Sequence, residues 1–201
     1  MDNTPIAICV IPDVYENLKN GDESEGGVHT ARFVSLNYMN YDTSTIGSEN
    51  PQLMYFGNYG TTIGNVKGGT DKTAYIGGKW NTQKCLHACT KENKDLTNGV
   101  TNNSGTGYCA PACCCVAYST PGTKSGDWYL PMPGELYQIY ANKEAINEKR
   151  TAIIGWGFID GSFWSSRERS SKFEYGVRSN EVYGCGKGSD CVVLGFLALE
   201  V

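Results

Sequence analysis

Both ends of the chain are strand-like, and the helical signals lie between them. Pro5–Pro12 (PIAICVIP) is an apolar run bounded by prolines, and Val192–Glu200 is a second apolar run. Arg32–Met39 (RFVSLNYM) alternates apolar and polar residues, as a half-buried strand does. Strands at the two ends must find each other across a helical middle. That arrangement predicts a compact α+β domain whose terminal strands join in one sheet, a single domain over residues 1–201.

The middle supplies the helices. Asn81–Lys91 places Cys85, Leu86, Ala88 and Cys89 at helical spacing, with Asn81 as N-cap. Ala112–Tyr118 follows Pro111, which suits a first helical turn. Gly134–Lys149 carries Leu136, Ile139, Tyr140, Ala145 and Ile146 on one side and is the best amphipathic helix in the chain. Leu53–Phe56, Ala152–Phe158, Ser162–Ser165 and Tyr175–Arg178 read as further short strands. Glu16–Gly27, Asp42–Gln52 and Lys91–Gly107 read as polar loops.

Composition removes several functional classes. The 201 residues carry a net charge of −4, which leaves no basic surplus for nucleic acid. No apolar run approaches the ~20 residues of a membrane span. The N-terminus, MDNTPIAICVIPD, lacks a basic region, and Pro12 breaks its apolar stretch, so no signal peptide is expected. Gly126–Pro131 (GDWYLP) reads as core-forming, with Pro131 and Pro133 setting the helix start.

Nine cysteines are too odd a number for complete internal pairing. Cys85 and Cys89 lie four apart, and Cys109, Cys113, Cys114 and Cys115 follow. Thiolates suit zinc, yet these spacings match neither a finger nor a ribbon. On a helix His87 faces away from Cys85 and Cys89. Buried packing is the favoured reading, with metal and disulfide left as alternatives. No residue is assigned to a metal, no cofactor is expected, and no catalytic set emerges. The only histidines, His29 and His87, sit in no context that marks a base. Gly184–Ser189 looks faintly like a phosphate loop, but Lys187 is followed by Gly188 where that motif has a hydroxyl residue.

The last forty residues say most. RERSSKFEYGVRSNEVYGCGKGSDC mixes aromatic, charged and thiol side chains with glycines at 176, 184, 186 and 188. It reads as an exposed face of irregular turns. Tyr, Arg and Gly are what adaptable binding surfaces use.

GDWYLPMPGELYQIY, the helix after it, FWSS and the closing Val-Val-x-x-Phe-Leu-Ala-Leu strand resemble the C-type-lectin-like domains of diversity-generating retroelement variable proteins. Such proteins occur in gut (crAss-like) phages and Bacteroidetes. The stretches ARFVSLNYMNYD and YFGNYGTT add to the resemblance, which spans nearly the whole chain. It implies short, mostly antiparallel strands with two or three short helices, and a variable ligand-binding region at about residues 163–191.

In that family adenine mutagenesis of AAC-type codons gives Phe, Tyr, Gly, Arg, Cys and Asp, but never Lys or Glu. The resemblance therefore implies ligand-binding roles for Arg169, Phe173, Tyr175, Gly176, Arg178, Tyr183, Gly184, Cys185, Gly186, Gly188, Asp190 and Cys191. Glu168, Lys172, Glu174, Glu181 and Lys187 would be fixed, and Cys185 and Cys191 would be surface products of diversification.

The implied function is receptor-binding display, not enzymatic. The partner would be a target-cell surface protein or glycan, on a phage tail or a bacterial surface. Other virion or surface subunits and a homo-oligomer are compatible with it. Nucleic acid and membrane insertion are not expected. Two alternatives share the fold: a non-variable virion subunit, and a metal oxidase of the formylglycine-generating type. Calcium-lectin motifs of the Glu-Pro-Asn and Trp-Asn-Asp kind are absent from the sequence.

Overall fold

The computed structural model describes residues 5–16, 28–39, 51, 53–91, 109–158 and 161–201. The three polar loops read from the sequence lie largely or wholly outside the described residues.

Among the described residues two antiparallel sheets and four helices make up an α+β fold. The strands are β1 (Ala7–Glu16), β2 (Val28–Tyr38), β3 (Trp128–Tyr129), β4 (Phe163–Ser170), β5 (Phe173–Arg178), β6 (Glu181–Gly186) and β7 (Leu194–Glu200). The helices are α1 (Gly78–Lys91), α2 (Ala110–Ala117), α3 (Pro133–Ala141) and α4 (Lys143–Ile154). The first sheet runs β1-β2-β7-β3 and the second β4-β5-β6. The terminal strands do share a sheet. β2 lies between them, pairing with β1 through Ile8↔Val34 and with β7 through Phe33↔Leu197.

The sequence reading is corrected at five places. Asn81 is not an N-cap: α1 begins at Gly78, and the Asn81 side chain, inside the helix, accepts from the Lys67 N–H at 2.9 Å. Ala152–Phe158 is not a strand: α4 runs to Ile154 and ends on Gly155 at φ 89, a left-handed position that glycine takes without strain. The single long helix is two, broken at Asn142 (φ −116, ψ 23), whose N–H still donates to the Gln138 carbonyl at 3.0 Å. Leu53–Phe56 contributes one isolated bridge, Met54↔Cys191. The stretch read as irregular turns is a pair of antiparallel hairpins, unbroken in register between β5 and β6 and interrupted by two register shifts between β4 and β5.

The first sheet is closed by apolar packing. Val34, Leu36, Leu194 and Phe196 are buried with Leu136, Ile139 and Ile146 of α3 and α4. Trp128, Leu130, Cys85, Cys109, Cys113 and Cys115 form the neighbouring cluster with α1 and α2. Within this core Arg32 Nε lies 2.8 Å from Glu135 Oε1 in a buried ion pair. Glu135 also accepts from the Tyr129 hydroxyl (2.5 Å) and the Met132 N–H (2.7 Å), so its carboxylate is well supplied with donors. The GDWYLP motif is thus structural: Trp128, Tyr129 and Leu130 are buried, and Trp128 and Tyr129 pair with β7.

No described helix is long and apolar enough to cross a membrane.

Candidate ligand-binding site

The second sheet coincides with the region the sequence marked as variable, and it is held differently. Its inner face carries charge. Lys187 Nζ lies 2.7 Å from Glu168 Oε1 and 3.7 Å from Glu174 Oε1, with all three side chains buried. Lys187 also donates to the Thr61 carbonyl at 3.0 Å. The Glu168 carboxylate accepts the backbone N–H groups of Ile63 (2.9 Å) and Gly64 (2.8 Å). Asn65 Nδ2 donates to the Ser166 carbonyl at 2.8 Å, and the Glu168 N–H donates to the Asn65 carbonyl at 2.9 Å. The segment 57–65 is therefore strapped across the sheet by a buried cation and two carboxyl groups. Burial raises the Glu174 carboxyl well above the usual glutamate range, and the nearby Lys187 only partly offsets this.

The residues implied as fixed fall into two groups. Glu168, Glu174 and Lys187 form this frame, whereas Lys172 and Glu181 are exposed. The twelve candidate ligand residues also divide. Arg169, Phe173, Arg178, Gly188 and Asp190 are exposed. Tyr175, Tyr183, Gly184 and Gly186 are half-buried, and Gly176, Cys185 and Cys191 are buried.

The assignment of Cys185 and Cys191 as surface side chains is therefore corrected. Cys185 is 6% exposed and Cys191 1%, because Cys185 stands opposite Glu174 on the inner face and Cys191 is bridged to Met54 beneath Trp164. Gly176 is likewise a packing position: a Cβ there would lie 3.3 Å from the Tyr183 ring and 3.1 Å from the Phe163 carbonyl oxygen.

The exposed residues form two patches at opposite ends of β5. At one end Phe173 stands in register with Gly186, and Tyr175 with Gly184. Arg169 reaches across from β4 and lies where a Gly184 side chain would be, with its Cδ 2.9 Å from that Cβ position. Glycine at 184 is thus the room that Arg169 occupies. At the other end the β5–β6 hairpin turns through Ser179 (φ 47) and Asn180 (φ 67), the two left-handed residues of a tight two-residue turn. Beside it lies an open depression of about 480 Å³ lined by Leu53, Gly161, Ser162, Arg178, Ser179, Asp190 and Val192. Five strand steps of about 3.3 Å separate Phe173 from Arg178, or roughly 17 Å.

The depression joins a cation, a carboxylate, two hydroxyls and apolar edges. That set suits hydrogen bonding to a polar ligand resting on aliphatic surface. Sequence reasoning missed Leu53, Ser162 and Ser179, since they meet Arg178 and Asp190 only through the fold. The hairpin turn residues Ser-Asn between two apolar-containing runs were the one available signal.

Among the described residues no cluster of three or more His, Cys, Asp or Glu is placed to hold a metal ion. A second depression, of about 300 Å³, lies beside α1 and is lined by Lys79, Trp80, Thr82, Gln83, Gly126, Trp128 and Tyr129. None of the sequence-derived candidates reaches it.

No protein-family model and no curated protein matches the chain. A solved structure does resemble it: a fimbrial protein from Bacteroides ovatus ATCC 8483, with a TM-score of 0.51 and 16% identity. The match covers 85% of this chain and 36% of the fimbrial protein, so the chain spans about a third of that protein's length. At that identity the likeness is one of fold.

Proposed function

We infer that the chain is a surface-display module that binds its ligand through the outer side of the β4-β5-β6 sheet and the depression at Arg178 and Asp190. One observation carries this reading. β4 and β5, with Lys187 just after β6, bury a charged frame, Glu168, Glu174 and Lys187, while Arg169 and Phe173 on the other face, and Arg178 at the far end of β5, are exposed to solvent. A sheet anchored from within can change its outer residues without losing its backbone. Rigidity of this kind keeps the ordering cost of binding low.

The fold likeness to a fimbrial protein supports a setting on a cell surface or surface appendage. The sequence resemblance supports a C-type-lectin-like fold, a retroelement-diversified surface and a phage-tail alternative. The ligand class in either setting is a cell-surface protein or glycan, and the chemistry is binding without turnover. Several copies on one particle would add avidity.

The test uses the full chain with Arg169, Phe173, Arg178 and Asp190 all changed to alanine. Wild type and variant are applied to a glycan array and to intact bacterial cells. The expected result is retention of wild type on at least one array glycan or cell type, with at least a tenfold loss in the variant and a nearly unchanged melting temperature. Equal retention of both, or no retention of either, overturns the reading.

The fimbrial likeness also favours a second reading, a structural subunit whose second sheet contacts neighbouring subunits. A template repeat and a reverse transcriptase gene beside the coding sequence would favour variable display over this one.

A further inference from the structure

Cys185 and Cys191 are buried, and the ligand surface does not use them. Cys185 stands near the end of β6, opposite Glu174. Cys191 is held by two backbone hydrogen bonds to Met54, with its N–H donating at 3.2 Å and its carbonyl accepting at 3.0 Å. Between them runs a short turn, closed by the Ser189 N–H donating to the Gly186 carbonyl at 2.8 Å. Both thiols are thus fixed by backbone on either side of that turn.

Their Sγ atoms lie 3.2 Å apart. Non-bonded heavy atoms rest at about 3.5–4.0 Å, and a disulfide needs about 2.05 Å. The two sulfurs are thus already inside ordinary contact distance, with about 1.2 Å left to close. We propose that Cys185 and Cys191 form a disulfide, a covalent cross-link that closes the turn Gly186–Asp190 beside the ligand depression.

The local chemistry assigns the two thiols different parts. Cys185 is the more accessible of the two. A hydrogen bond from Cys191, with others from Tyr183 and Ser189, outweighs burial and brings its thiol down to about 7. The same hydrogen bond and burial push Cys191 up. Cys185 is therefore the thiolate that attacks first.

With a small disulfide such as oxidised glutathione as oxidant, Cys185 Sγ bonds to one glutathione sulfur. The glutathione S–S bond breaks and one thiolate leaves. Cys191 gives its proton to that leaving thiolate, and its sulfur attacks Cys185 Sγ and expels the second glutathione. Two protein thiols lose two electrons and two protons, and one glutathione disulfide becomes two thiols.

The cross-link fixes the turn that carries Gly188 and Asp190, so Asp190 meets a ligand already in place. That consequence rests on the ligand reading; the disulfide itself does not, because its readout is chemical. The full chain is equilibrated with oxidised glutathione, quenched in acid, denatured, labelled with N-ethylmaleimide and digested. All cysteines but these two should take the label, and the peptides carrying Cys185 and Cys191 should weigh two hydrogens less than the reduced form.

The melting temperature of the oxidised protein should exceed that of the reduced protein by about 5 °C. Cys185→Ser and Cys191→Ala should each lose that gain and take label at every remaining cysteine. Full labelling of the oxidised wild type, or a bond joining either cysteine to another partner, overturns the proposal even if neither variant folds.

Discussion

The four-stranded and three-stranded sheets of this molecule are stabilised by opposite means. The first buries β7 between β2 and β3, with Leu194, Phe196 and Leu197 packed among helices. The second faces its inner side onto Lys187, Glu168 and Glu174 and is strapped by the backbone of residues 57–65. Apolar packing is tolerant of small shifts, because any neighbour of suitable volume will do. A buried ion cluster is not, because each donor must meet its acceptor. The sheet whose outer residues are proposed to vary is thus the one whose backbone is pinned by directional bonds.

Replacing Phe196 by alanine should cost about 3–5 kcal/mol in denaturant unfolding, by lost burial and the cavity left behind. Replacing Lys187 by methionine should cost a similar amount, about 3–5 kcal/mol, for a different reason: it leaves the Glu168 carboxylate buried without its cation. The two variants then separate. Adding Glu168→Gln to Lys187→Met should recover more than half of the loss, whereas no charge change rescues Phe196→Ala. A cost below 1 kcal/mol for Lys187→Met would break the comparison, because the strap would then hold without its ion pair.

A smaller effect concerns pH. Glu174 binds its proton more tightly in the folded state than in the unfolded chain. Stability from this group is therefore complete at acid pH and falls as pH rises past the usual glutamate value of about 4.3 toward the raised one. Lys187 favours the ionised form, and Glu168 opposes it. Glu174→Gln should become progressively more stable than wild type across that window. A difference between the two that stays flat from pH 4 to 8 would sink the idea. Phe196→Ala should show no such slope relative to wild type.

The smallest expected effect is at the exposed positions of β5, Phe173 on the outer face and Arg178 at the strand's far end. Phe173→Ala and Arg178→Ala should each change stability by less than about 0.5 kcal/mol. A loss above 1.5 kcal/mol from Phe173→Ala would show that the outer face is structural and erase the contrast between the two sides of the sheet.

The four-stranded half was the more legible in the sequence. Alternation in Arg32–Met39 and the apolar run before the C-terminus placed β2 and β7, and the GDWYLP motif was read as core. In the three-stranded half the start of β4 and the body of β5 were read as strands, at Ser162–Ser165 and Tyr175–Arg178, but the rest was misread as irregular because Gly176, Gly184 and Gly186 count as strand breakers. In the fold they are spaces: the Tyr183 ring lies over Gly176, and Arg169 fills the room at Gly184. Nothing local in the sequence shows which side chain will cover a glycine two strands away.

The cysteines failed for a related reason. Thiols among Gly, Ser and Asp look exposed; the pairing of Cys185 with Glu174 on the inner face and of Cys191 with Met54 buries them. The two exposed patches were read as one, since sequence distance along β5 does not reveal that its ends face different neighbours. The helix break at Asn142 and the helical Ala152–Ile154 are boundary effects, where a β-branched pair before glycine suits either state.

Cys191–Val193 is also the seam between the sheets. The Cys191 and Val193 carbonyls accept from the N–H groups of Met54 (3.0 Å) and Met39 (2.9 Å). The Val192 N–H donates to the Ser162 carbonyl at 2.8 Å, and its own carbonyl accepts from Trp164 at 3.0 Å. In mechanical terms these three residues are a load path. A pull on a ligand held at the β5–β6 tip would pass through β6 and this seam into β7, the strand gripped on both sides by the first sheet. Several hydrogen bonds anchored in different parts of the chain would share the tension, so the tip could be tugged hard before the body of the molecule gave way.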